Sequence, residues 1–215
     1  MGRGFFDQHS TPAAARIATA LHKLGLAMKH QTWVQAAEDG LSPTQGQILA
    51  ALAGDGPQTG SELAARLGVS LPTVSDSARA LVDKGLAAKQ PDPRHPRASL
   101  ITLTADGKAR AAKTRAWPEF LAGAVDALSP AEQEVFVAGL VKMIRTLQVA
   151  GLIPVQAMCV TCVHFQPRVH DGPLPHHCAF VDAPMADRHL RLDCDEHVEA
   201  EAAAQAATWQ QFVDR

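Results

Sequence analysis

Residues 61–86 read SELAARLGVSLPTVSDSARALVDKGL, and this stretch decides the fold because its helix starts and stops are spelled out residue by residue. Thr59 stands three residues before Glu62, the reciprocal pairing that satisfies free backbone N–H groups at a helix start, so a short helix is predicted up to Gly68. Ser70 caps a second helix, whose Val74, Ala78, Leu81 and Val82 share one face at helical spacing. That helix stops at Gly85, the residue type best able to take the left-handed conformation of a helix C-terminus. Two capped helices joined by a tight turn make a helix-turn-helix.

Outward from this motif the pattern continues on both sides. LAAKQPDPRHPRASLITLT (86–104) sets a Pro-rich, Arg-bearing loop before a β-favouring run, which predicts a two-stranded hairpin, the wing of a winged helix. Thr104 then caps an Ala-rich helix bent by Trp117-Pro118. Ser129-Pro130-Ala131-Glu132 starts another, with Phe136, Leu140, Ile144 and Leu147 on one stripe. Upstream, Ser42-Pro43-Thr44-Gln45 opens a helix that turns Ile48, Leu49 and Leu52 inward, because Pro loses nothing at the first helical position. Thr11-Pro12 opens the first helix, with Ile17, Leu21, Leu24 and Met28 apolar. The fold class expected is mainly α: a winged helix-turn-helix with a helical region on either side, which the resemblance named below makes a dimerisation region, and a small, loop-rich, metal-binding C-terminal extension. Its parts are an N-terminal helix (1–40), the winged helix-turn-helix (41–113), further helices (114–150), and a cysteine-rich extension with a terminal helix (151–215).

The 215 residues are 47% hydrophobic and 20% charged, the balance of a soluble globular protein. No run of eighteen apolar residues occurs and the first thirty residues lack a secretory layout, so the expectation is a cytoplasmic location with no membrane partner. The net charge of −2 hides an asymmetry. Residues 61–113 carry nine Lys/Arg against five Asp/Glu, or +4, while residues 151–215 carry four Arg against nine Asp/Glu, or −5. A basic middle suits a polyanion surface. There is no glycine-rich phosphate loop, nucleophile elbow or HExxH motif, so no enzyme is expected.

LSPTQGQILAAL, SELAARLGVSLPTVSDSARALVDKGL and DPRHPRASLITLTADGKA, in that order, resemble the MarR family of bacterial transcriptional regulators over residues 10–150. The resemblance implies a homodimer whose first and last helices interleave and which grips double-stranded operator DNA, commonly as a repressor. The second helix of the motif would then enter the major groove with Ser70, Thr73, Ser75 and Arg79 on its solvent side. A hydroxyl-rich helix start suits phosphate, and an Arg suits the bidentate contact to guanine. In the wing, Arg94, His95 and Arg97 stand at a tip stiffened by Pro93 and Pro96 and would reach the minor groove. The family often places an acidic brace before the last wing Arg; here that place reads His95-Pro96.

Nothing in that resemblance accounts for Cys159, Cys162, Cys178 and Cys194, which hold all the sulfhydryls of the chain within 36 residues. In a reducing compartment such a cluster points to a metal or redox role rather than a disulfide framework. A Cys-x-x-Cys turn puts two sulfurs on one centre and two later thiolates complete four ligands. CVTCVHF (159–165) followed by HHCAF (176–180) resembles the order in high-potential iron–sulfur proteins, which implies a [4Fe–4S] cluster shielded here by Phe165 and Phe180. Zn²⁺ in a structural site is the alternative ligand for the same sulfurs, and a thiol–disulfide switch is a third. His164, His170, His176, His177, His189 and His197 crowd the region, with His177 and His197 best placed to ligate or to donate to sulfur. The function expected is a regulator that senses redox or iron state through this centre. Two readings stay open beside it: the same regulator with a zinc staple and a small-molecule ligand, and a winged helix that only binds protein.

Overall fold

The computed structural model describes residues 10–93, 95–114 and 119–214, and of residues 95–97 and 119 it describes the backbone alone. Arg94 and the bend expected at Trp117-Pro118 lie outside the described residues. The chain divides into two units, one ending near residue 120 and the other running from residue 121 onward, joined there by residues 65–68.

In the first unit, helix α1 (Ala13–Glu38) begins one residue later than the Thr11-Pro12 pattern predicts: Pro12 itself is the N-cap, and no side chain caps the start. Helix α2 (Pro43–Asp55) opens with the full capping box. Ser42 Oγ accepts from the Gln45 N–H at 3.2 Å, and Gln45 Oε1 accepts from the Ser42 N–H at 3.2 Å. Strand β1 (Gln58–Thr59) leads into α3 (Gly60–Leu67), where Thr59 and Glu62 form a second reciprocal pair at 2.7 and 3.2 Å. Helix α4 (Leu71–Asp83) starts on Ser70, whose Oγ accepts from the Thr73 N–H at 3.3 Å. The predicted stops hold: Gly68 and Gly85 take φ of 64° and 70°. Ile48, Leu49, Leu63, Val74, Ala78 and Leu81 are fully buried together. Each such large aliphatic side chain contributes about 1.5–3 kcal/mol, and that shared core fixes the angle between α3 and α4.

The wing is β2 (Ala87–Asp92) and β3 (His95–Leu103), antiparallel with Ala87 opposite Leu103. The hairpin carries a third strand that the sequence did not signal, because β1 pairs with β3 over only two residues, Gln58 with Ile101 and Thr59 with Leu100. Helix α5 (Ala105–Thr114) follows, and Thr104 ties its start back to the recognition helix: the hydroxyl accepts from the Gly107 N–H at 3.0 Å and donates to the Gly85 carbonyl at 2.7 Å. Lys84 reaches from the end of α4 to the Gly40 carbonyl at 2.6 Å and to Gln45 at 2.9 Å.

The second unit holds α6 (Glu119–Val125), α7 (Pro130–Val149), a small antiparallel sheet of β4 (Phe165–Gln166), β5 (His176–Cys178) and β6 (Ala183–Met185), and α8 (Ala202–Val213). Ser129 and Glu132 form the predicted capping box of α7. The cysteine region has more core than its composition suggests. Met158, Val160, Phe165, Met185, Leu190 and Phe212 form one buried cluster with Val141 of α7, and Val137, Ile144 and Trp209 pack against it. The stripe expected on α7 therefore splits: Ile144 belongs to this cluster, whereas Phe136 and Leu147 are exposed. Helix α8 begins at Ala202, later than the pattern VEAEAAAQAATWQQFV implies, and docks through Phe212, which is 2% exposed. Among the described residues no helix is long and apolar enough to cross a membrane.

Candidate nucleic-acid interface and candidate metal centre

The recognition helix presents the residues expected of it on one face. Ser70, Thr73, Asp76 and Arg79 are exposed and Ser75 is half-buried, opposite the buried Val74, Ala78 and Leu81. Ser70 and Thr73 hydroxyls lie 2.7 Å apart, so the helix start offers two linked hydroxyls beside its free N–H groups. Arg79 pairs with Asp76 at 3.4 Å, with about 70% of each side chain in solvent. An ion pair that exposed is worth little and releases its Arg readily to a better partner. Leu71, 47% exposed at the helix start, joins the sequence-predicted residues here. The signal available was position alone: an apolar side chain on the solvent side of a recognition helix suits a thymine methyl group. In the wing, the side chains of His95 and Arg97 are not described, but their strand is paired and Asp92 sits opposite His95. Asp92 is 2% exposed, so the wing does carry a buried, partnered carboxylate, three residues ahead of the position where the family pattern sought one.

The four cysteines come together in the second unit. Cys159 opens a single 3₁₀ turn (Cys159–Thr161) and Cys162 closes it, with the Cys162 N–H donating to the Cys159 carbonyl at 3.0 Å. Met158, Val160 and Thr161 around them are fully buried, and the Thr161 hydroxyl donates to the Met158 carbonyl at 3.0 Å, so the turn is held from inside. Cys178 ends β5, opposite Phe165 on one side and Ala183 on the other. Cys194 lies in the loop after Leu190, where its N–H donates to the Ala157 carbonyl at 3.0 Å.

All four are free thiols and all four line one cavity of about 380 Å³, together with Phe165, Phe180, His164, His189 and His197. Among the described residues no three His, Cys, Asp or Glu side chains converge closely enough to hold one metal ion. The backbone N–H of Arg191 donates to Cys159 Sγ at 3.2 Å, and its guanidinium reaches Cys194 Sγ at 3.7 Å and Glu196 at 3.2 Å. Burial pushes the Cys159 thiol up, opposed by the Arg191 N–H and reinforced by the three neighbouring thiols. The Arg191 guanidinium is raised first by its hydrogen bond to Cys194 and further by the neighbouring Glu196 carboxylate.

The histidines divide by role. His176 is not a surface residue: it is 1% exposed, its Nδ1 accepts from the Arg168 N–H at 3.1 Å, and Nε2 faces Asp187 at 3.0 Å. Phe165 and Phe212 stack beside it, so it serves the packing of α8. His177, favoured by its place next to Cys178, pairs instead with Asp182 and His170, both at 3.2 Å. His197 does line the cavity, with Nε2 at 2.9 Å from the Thr161 hydroxyl. Because that hydroxyl gives its proton to the Met158 carbonyl, it receives one from His197 Nε2. His189 uses Nδ1 to accept from the Ala186 N–H at 3.0 Å, which leaves Nε2–H as a donor in the cavity wall.

A winged helix followed by a four-cysteine lobe is the class of molecule these two sites define. Residues 39–98 match the profile of the MarR family, which comprises transcription regulators rather than enzymes. No curated protein matches the chain significantly. Among solved structures, a MepR–DNA complex from Staphylococcus aureus is 28% identical with a TM-score of 0.54, covering 61% of this chain and 97% of that one. A MarR family protein from Bacillus stearothermophilus is 20% identical with a TM-score of 0.55, over 63% of this chain and 95% of that one. A probable transcriptional regulator from Pseudomonas aeruginosa is 25% identical with a TM-score of 0.50, over 59% of this chain and 96% of that one. The fold is thus a MarR-type winged helix.

Proposed function

We propose that this protein is a dimeric, operator-binding transcriptional repressor of MarR type whose four-cysteine cavity holds a [4Fe–4S] cluster and reports redox or iron state to the DNA-binding helices. DNA binding is supported by the polar, Arg-bearing face of α4 and by the likeness to MepR, which is a DNA complex in one solved form. Dimerisation is supported by the apolar surface left on α1 and α7: Ile17, Leu24, Leu26, Met28 and Trp33 on one, Val135, Phe136, Met143 and Leu147 on the other, each more than a third exposed. Exposed apolar area of that extent marks a protein interface.

The observation that carries the cluster is that all four cysteines line one cavity. A tetrahedral zinc with bonds of about 2.3 Å draws its sulfurs to roughly 3.8 Å of one another, a closed knot. A four-iron cluster needs a volume among the same four donors and thiolates from every side. A cavity of about 380 Å³ lined by all four cysteines supports the second. Cys159, Cys162, Cys178 and Cys194 would hold the cluster, which would supply one-electron and oxygen-sensitive chemistry. The chain's part is to donate N–H groups to sulfur through Arg191 and to shield the centre with Phe165 and Phe180.

Helix α7 gives the coupling its route. Val137, Val141 and Ile144 pack on the cysteine lobe, while Phe136 and Leu147 on the same helix remain free for a partner subunit. A lobe ordered by its centre and a lobe emptied of it press differently on that helix, which is the differential contact that allostery requires. Protein purified without oxygen is expected to be brown, with iron and sulfide in equal amounts, and to change its affinity for a duplex selected from a random library by about 5–150-fold on stripping. Colourless protein releasing one zinc, or equal affinities of loaded and stripped protein, would overturn the reading.

A further inference from the structure

The four sulfurs are not held alike. Cys159 and Cys162 sit at the ends of a turn whose neighbours are fully buried, and Cys162 is further fixed by its bridge to Glu199. Cys178 is in a strand with partners on both sides. Cys194 is in a loop without helix or strand, between the exposed Asp193 and Asp195; backbone hydrogen bonds to Ala157 and from His197 fix its main chain, which leaves the hold on its sulfur to side chains. Its side-chain partners are two opposite charges that also hold each other: Arg191 at 3.7 Å, Glu196 at 3.4 Å, and 3.2 Å between the pair, whose side chains are 60% and 42% exposed.

Those two partners respond oppositely to the state of the sulfur. A free Cys194 thiol donates its S–H to the Glu196 carboxylate, the contact seen here. A sulfur bound to a metal centre has no proton to donate and carries negative charge, so the same carboxylate repels it while the guanidinium attracts it. We propose that Cys194 is the exchangeable sulfur of the centre and that Arg191 and Glu196 set its hold with opposite signs, Arg191 as latch and Glu196 as release. This rests on the metal-centre reading above. When the bond from metal to Cys194 breaks, the electron pair stays on sulfur, a solvent proton completes the thiol and solvent takes the sulfur's place; no electron changes hands. The released S–H then finds its acceptor already at 3.4 Å.

The test uses the full chain, loaded anaerobically with ferrous iron and sulfide and then challenged with an iron chelator, following visible absorption and residual iron. Arg191→Ala keeps the backbone N–H on Cys159 and removes only the guanidinium; it is expected to lose iron about two- to fivefold faster than wild type, the scale of an exposed ion pair. Glu196→Gln is expected to lose iron more slowly by a similar factor, and Asp195→Asn, an equal charge change on the same loop, to match wild type. Both effects shrink in molar salt, which screens exposed charges and would leave a merely structural defect unchanged. Should Arg191→Ala fail to fold, Glu196→Gln alone decides. Faster loss or an unchanged rate in Glu196→Gln, or an equal slowing in Asp195→Asn, overturns the proposal. Wild-type protein that takes up neither iron nor sulfide overturns the metal-centre reading itself, and this inference with it.

Discussion

Gly107→Ala sets two physical effects of known size against each other. Gly107 is in the first turn of α5, and a helical Gly replaced by Ala ordinarily gains about 1 kcal/mol in helix propensity. A Cβ built at this position, however, falls inside van der Waals contact of the Leu86 carbonyl oxygen and carbon. That carbonyl cannot swing aside cheaply: it accepts the Thr104 N–H at 3.2 Å, and Leu86 is the buried residue that leads from the recognition helix into β2. Overpacking of this kind costs about 1–3 kcal/mol or somewhat more, and displacing the carbonyl gives up a further hydrogen bond of about 1 kcal/mol. After the propensity gain is subtracted, a net loss of about 1–3 kcal/mol is expected, which lowers the melting temperature by about 4–8 °C per kcal/mol in a unit of this size. Gly54→Ala, in α2 with open space where the Cβ goes, is the control and gains stability, by about 0.5–1 kcal/mol. Thermal unfolding by circular dichroism reads both. A higher melting temperature for Gly107→Ala would refute the claim that the wing is seated by this close approach.

Three further outcomes follow from named contacts. Arg79→Ala is expected to weaken binding to the selected duplex by about 1–3 kcal/mol, read by fluorescence anisotropy, since its ion-pair partner among the described residues is the exposed Asp76; unchanged affinity would favour a protein-binding role for the winged helix. Phe212→Ala removes the side chain on which Phe165, His176 and Trp209 converge, at a cost of about 3–5 kcal/mol, and is expected to abolish the Trp209 unfolding transition of the C-terminal lobe; retention of that transition would show that α8 is not the lobe's keystone. The Ser129 hydroxyl and backbone N–H hold the Glu132 carboxyl below its ordinary 4.5, so this pair adds stability above that value and loses it as the pH falls through the lower folded value. Ser129→Ala is accordingly expected to be less stable than wild type near neutrality, with the two melting curves converging in acid; a gap that widens in acid would contradict the sign.

The winged helix was legible because its instructions are local. Ser42 with Gln45, Thr59 with Glu62, Ser70, Thr104 and Ser129 with Glu132 each act within one helical turn, and every one caps the helix it announces. What escaped notice needed a partner distant in sequence. Strand β1 is two residues long and exists only because β3 offers it an edge. The close approach at Gly107 depends on a carbonyl twenty-one residues earlier, and the burial of His176 depends on Arg168, Asp187 and the far helix α8. At the candidate metal centre the same division holds. Spacing was enough to group the four cysteines, but it says nothing about the distance at which they stop, and that distance separates an ion from a cluster. It is set by the rigid turn at 159–162, the register of β5 against β4 and the anchoring of Cys194 to Ala157. A segment that looked too poor in apolar residues to fold without a metal borrows Val141 from α7 and Phe212 from α8. The lobe therefore has a core of its own, and on the proposed reading the work left for a bound centre is to bias the helix that the core rests on.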